Sequence, residues 1–252
     1  MDRMVDRIGK LLAQAEGTDN EHEAAAFVER AQQLATEHAV DLERARQHQR
    51  ERHRRGGEEP MVQERVDVGE RGRRGNRHRV LLYVAVAQPN DVLLNVAADS
   101  TYVLAFGHRE DLDVATQLWA SLAVQMTASA QRRLDRGEHR VAGVAALTWR
   151  LSYYDGYVQV VAERLARARA RAVEQSAPAP EPGGDSAALV LRAKAERVQD
   201  FYAGASRARG AWRGAAAGRT RVSGRAVASG RTDGERADIG QGRLRDQGRL
   251  GA

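Results

Sequence analysis

The sequence predicts a mostly helical α+β protein: an N-terminal helical hairpin, then a helix–β-hairpin–helix–helix unit, then a largely disordered basic tail. Three observations carry this expectation. Apolar residues recur at helical spacing, most clearly at Trp149, Tyr153, Tyr157, Val161 and Leu165. Two apolar or β-branched runs, Val92–Ala97 and Thr101–Gly107, flank the turn sequence Ala98-Asp-Ser. The last 49 residues hold 11 Gly and 11 Arg with few sizeable apolar side chains, too little to offset the entropy of ordering.

Residues 2–16 read as a helix with Met4, Ile8, Leu11, Leu12 and Ala15 on one face and Gly17 as its stop. Thr18-Asp-Asn-Glu21 fits a capping box, so a second helix starts near Asp19 or Asn20. In it Phe27, Ala31, Leu34, Ala35 and His38 share a face. These helices and the charged segment from Asp41 make an N-terminal helical domain at residues 1–54. Residues 55–78 mix Gly, Pro and charge and read as a linker, with at most a short strand at Met61–Val68.

An α+β domain is placed at residues 79–175. It opens on VLLYVAVA as two helical turns and continues through the hairpin runs. Asp111 then caps a helix with Leu112, Ala115, Leu118, Trp119, Leu122 and Met126 inward, ended by Gly137. The aromatic helix runs from about Val144 to Glu174 and covers one sheet face. Residues 176–186 form a Pro-rich linker, and residues 187–252 hold a short helix with Leu191, Ala195, Val198 and Tyr202 in line, followed by the Arg/Gly tail.

Charge and composition narrow the chemistry. The net charge of +6 lies wholly in residues 176–252, because residues 1–175 balance to zero. Lys10 and Lys194 are the only lysines. The absence of cysteine excludes disulfides, thiolate metal sites and thiol nucleophiles. No apolar run reaches signal-peptide or membrane-span length, so a cytoplasmic protein without a membrane partner is expected. The histidines form no H-E-x-x-H pattern, and no nucleophile elbow or phosphate-loop motif is present. No catalytic residue, metal or cofactor is assigned.

The segment IGKLLAQAEGTDNEHEAAAFVERAQQLATEHAVD carries Lys10-Leu11-Leu12, Ala15-Glu16, Glu23-Ala24, Ala31, Leu34 and His38. On these residues it resembles the DUF2786 family of bacterial and phage proteins. HRVLLYVAVAQPND, VLAFGHREDLDVATQLWASLAVQ, WRLSYYDGYVQVVAERL and the tail ending RADIGQGRL look like the region C-terminal to that domain in actinobacterial members. The family has no settled activity, so the resemblance implies a helical hairpin and not a reaction. Members carry Gly after the late His; this chain has Ala39.

The leading expectation is a non-enzymatic nucleic-acid-associated protein, with DNA or RNA as partner. Arg207, Arg209, Arg213, Arg219, Arg221 and Arg225, with Trp212 among them, would meet the phosphate backbone. Deleting residues 204–252 is then expected to remove most binding. Gly210, Gly214 and Gly218 also have the spacing of close helix packing, a signal that belongs to apolar membrane helices. Gly69–Asn76 with Arg71, Arg73 and Arg74 reads as a solvated loop in place of a phosphate cradle. Glu23, His38, Arg150 and Tyr154 are further candidates, Tyr154 being the aromatic expected to face solvent. Alternatives are a protein partner docked on the hairpin, or an enzyme site using His38 and nearby Glu carboxylates.

Overall fold

A computed structural model describes residues 3–18, 20, 22–35, 60–175, 187–212 and 222–239. Helix α1 spans Arg3–Gly17 and helix α2 spans residues 22–35. Asn20 caps α2: its Oδ1 accepts from the backbone N–H groups of His22 at 3.0 Å and Glu23 at 3.4 Å. Ile8, Leu12 and Ala15 of α1 and Ala24, Ala31 and Leu34 of α2 are buried, as their spacing requires.

Among the described residues the sheet has three antiparallel strands: β1 (Met61–Asp67), β2 (Leu93–Val96) and β3 (Tyr102–His108), in the order β1-β3-β2. Val66, Val103 and Val96 share one register row across it. The β2–β3 turn closes through Asp99, whose carboxylate accepts from the backbone and hydroxyl of Thr101, while Ser100 takes a left-handed φ of 59°. Residues 60–78, expected as linker with at most a short strand, hold that strand at the edge of the sheet, then a Gly/Arg loop and the first turn of helix α3 (Asn76–Ala87).

Side chains alternate across β3 and bury both sheet faces. Val103 and Ala105 join the core with α3 and α4 (Arg109–Asp135). Phe106 points to the other face, where the rings of Phe201 and Tyr202 on α7 (Ala187–Ala205) meet it at 6.4 and 5.0 Å. Gly137, at φ 75°, ends the α4 segment and leads into the short α5 (Glu138–Val141). Helix α6 (Ala146–Gln175) packs on α3 and α4 and carries the aromatic row. Trp149, Tyr153 and Tyr157 are buried, with Trp149 stacked on Tyr153 at 5.3 Å. Tyr154 is buried too, which corrects the expectation that it faces solvent.

The tail departs most from expectation. Residues Gly224–Arg236 form helix α8, which lies along α6. Its contact face is Ala226, Gly230 and Gly234, set against Gly156 of α6. A β-carbon on Gly230 would collide with the Tyr153 carbonyl, and one on Gly156 with the Val227 carbonyl. The two backbones therefore touch, and dispersion across that contact replaces the missing apolar stripe. Ser223 caps the helix start, and Arg164 binds the carbonyls of Gly234 and Ala237 at its end, at 2.6 and 2.7 Å. Asp233 takes a two-pronged contact from Arg133, at 2.7 and 2.8 Å, and a hydrogen bond from the Tyr153 hydroxyl at 2.8 Å. Burial pushes the Asp233 carboxyl up, but these partners outweigh it and hold the group below the ordinary carboxylate range. This portion of the tail is ordered because polar partners and close backbone contact supply what side-chain burial does not.

Candidate functional site

The Gly/Arg loop between β1 and α3 has two sides with opposite chemistry. Its inner side is a buried charge network. Glu16, at the end of α1, lies over the start of α3: a β-carbon on Gly75, the residue capping that helix, would collide with Glu16 Oε2. A carboxylate at a helix N-terminus is favoured by the exposed N–H groups there. Arg79 Nη2 lies 2.8 Å from the same carboxylate, and Arg79 is completely buried. The Tyr154 hydroxyl donates to Glu16 Oε1 at 2.9 Å. Arg150 donates to the Glu16 carbonyl at 2.8 Å and to Gln131 at 3.1 Å. Burial raises the Tyr154 phenol above its ordinary pKa, and the Glu16 charge raises it further, so it stays a donor. Beside this group His78 Nε2 lies 3.1 Å from Asp155 Oδ1, which also accepts from Arg77 at 3.3 Å. Burial pushes the Asp155 carboxyl up, while His78 and Arg77 more than reverse this and leave it below the usual range.

The inner side is therefore filled. The place where a phosphate would meet the α3 N-terminus is taken by the Glu16 carboxylate, already neutralised by Arg79. Arg150 and Tyr154, both sequence candidates, are spent on this same network. The strand–Gly/Arg loop–helix context is nonetheless present.

The outer side is basic and open. Arg71, Arg73 and Arg74 are exposed. The loop begins at the β2–β3 turn, because the N–H groups of Val68 and Gly69 both donate to the Thr101 carbonyl. Arg71 is close enough to act on Asp99: the Thr101 hydroxyl chiefly holds that carboxyl below its ordinary range, and Arg71 adds to the effect. The start of the tail reaches the same turn. Trp212 Nε1 donates to Ser100 Oγ at 3.1 Å, and Ser206 Oγ accepts from Asn95 at 2.9 Å. Arg207 and Arg209, between those two anchors, are exposed. Arg71 and the start of the tail thus present arginines at the β2–β3 turn, while the Arg73 guanidinium lies against Gly17 at the end of α1, with the Glu70 carboxylate 3.6 Å away.

Of the remaining candidates, Arg225 is exposed on the first turn of α8. Trp212 is half-buried against the core instead of standing free. Glu23 is exposed and accepts from the Thr18 hydroxyl at 2.8 Å, a turn contact. Arg213, Arg219, Arg221 and His38 lie outside the described residues. The contributions of Arg71, Arg73, Arg74 and Glu16 are not selected by sequence reasoning. The signal for the arginines is the loop composition, which follows the short strand expected at Met61–Val68 and found at Met61–Asp67.

Residues 3–42 match the model of DUF2786, a protein family of unknown function. The chain carries a DUF2786 domain. Within that domain Ile8, Leu12 and Leu34 join the common core, and Glu16 adds a polar link to the rest of the protein through Arg79 and Tyr154. The chain has no significant match among curated proteins or solved structures. No helix among the described residues is long and apolar enough to cross a membrane.

Proposed function

We propose that this DUF2786 protein is a non-enzymatic nucleic-acid-associated protein that binds the phosphate backbone through a composite basic edge. The observation that supports the reading is that Arg71, close to the Asp99 carboxylate, and the exposed Arg207 and Arg209, between the Asn95–Ser206 and Ser100–Trp212 hydrogen bonds, flank the same β2–β3 turn, with the exposed Arg73 and Arg74 further along the loop. Guanidinium groups suit phosphate oxygens because their paired N–H donors match the anion's geometry. The excess positive charge of residues 176–252 adds a longer-range attraction. Deleting residues 204–252 is a poor test, because it also strips α8 from α6.

Point substitution separates the two effects. Arg71, Arg73 and Arg74 changed together to Ala, and separately Arg207 and Arg209 changed to Ala, are expected to weaken binding of labelled DNA and leave the melting temperature in place. Binding unchanged in both variants, or no binding by the intact protein at low salt, rejects the proposal. The alternative is a protein partner docked on the hairpin's exposed face or on the Arg-rich segment 44–55, which lies outside the described residues; pull-down recovery unchanged by nuclease treatment would favour it.

A further inference from the structure

All 12 aromatic residues lie among the described residues, and none is exposed. The residues nearest the basic edge are occupied. The Arg65 guanidinium covers the Tyr102 ring at 3.9 Å. Trp212 packs on the core with its N–H bound to Ser100. Tyr202 is turned inward, with its ring on Phe106 and its hydroxyl on Asn95 at 2.6 Å. Proteins that prefer single strands gain much of that preference by stacking bases on open aromatic faces. This edge offers arginines and no such face.

Resting on the nucleic-acid reading above, we infer that the partner is a duplex recognised by its backbone alone, without base stacking and without a preference for base composition. A duplex concentrates one negative charge per about 1.7 Å of axis, where each strand carries one per about 3.4 Å. A rigid arginine edge therefore releases more counterions on a duplex than on the same length of single strand. The backbone is held by Trp212 and Thr101 contacts on both sides of the edge, so the arginines start from a fixed framework.

The test uses the full chain and a labelled duplex, its two separate strands, and dT and dA homopolymers of equal length, read by fluorescence anisotropy at one salt concentration. The duplex is expected to bind more tightly than every single strand. The homopolymers should bind within about twofold of each other, because backbone charge is all that they present to the edge. Tryptophan emission should stay unquenched at saturation, since Trp212 is not available to bases. A single strand bound as tightly as the duplex, or a dT–dA difference accompanied by quenching, overturns the inference and leaves the proposed function standing. Failure of every probe to bind overturns both.

Discussion

Glu16→Gln tests how the DUF2786 hairpin is held to the rest of the chain. The substitution keeps the side-chain shape and removes its charge. Two regimes give different magnitudes. An exposed ion pair contributes about 0–1 kcal/mol. A buried charge that loses its partner costs about 3–5 kcal/mol. Side-chain exposures of 8% for Glu16 and 0% for Arg79 place this pair in the second regime. The Tyr154 hydroxyl would lose its ionised acceptor in the same step. A chain of this size loses about 2–4 °C per kcal/mol, so the melting temperature should fall by roughly 6–20 °C. Chemical denaturation followed by circular dichroism supplies the free energy. The double variant Glu16→Gln with Arg79→Met removes both charges and should recover most of the loss. A single-variant cost below about 1 kcal/mol would mean that solvent reaches Arg79 and that the junction is not buried.

The same contacts set other outcomes. Tyr154→Phe should cost about 1.5–3 kcal/mol in denaturant titrations, since it deletes a hydrogen bond to a charged acceptor. Gly230→Ala should destabilise by about 1–3 kcal/mol and expose α8 to hydrogen exchange, because the Tyr153 backbone cannot move aside. Gly224→Ala, which has open space around it, should cause no such loss. Asp233→Asn should flatten the acid side of the stability profile. The folded carboxyl lies below the ordinary value of about 3.9, so its contribution is present above that pH and disappears as pH falls through the lower folded value. If the variant and the parent lose stability in parallel over that window, the Arg133–Asp233–Tyr153 contact contributes nothing there.

Much of the fold is legible in the sequence because its elements bury conventional apolar stripes. Ile8 and Leu12, the Leu112–Trp119–Met126 face and the Trp149–Tyr153–Tyr157 row each announce a helix, and each is buried. Asn20 announces the start of α2. Helix α8 is illegible for a physical reason. Its buried face is Ala226, Gly230 and Gly234, which carry no hydrophobic signal and depress helix propensity. Four-residue glycine spacing is the available clue, and in a polar sequence it is easily dismissed as a membrane-helix device. Tyr154 misleads because a tyrosine off the main stripe looks exposed until an acceptor arrives from elsewhere. Glu16 comes from another helix, and pairings between distant charges leave no periodicity in the sequence. The basic edge is half legible: composition alone selects the tail arginines, while Arg71 gains its place beside Asp99 from β1 and the β2–β3 turn.

The salt dependence of duplex binding tests the central claim most directly. Neutralising Z phosphates gives a slope of log K against log salt near −0.9Z, and each arginine lost from the contact should reduce its steepness by about one. The account predicts a steep slope for the intact chain and a slope shallower by about two to three for the Arg71, Arg73 and Arg74 triple-alanine variant, at an unchanged melting temperature. Identical slopes for the two proteins, or affinity insensitive to salt, would contradict it.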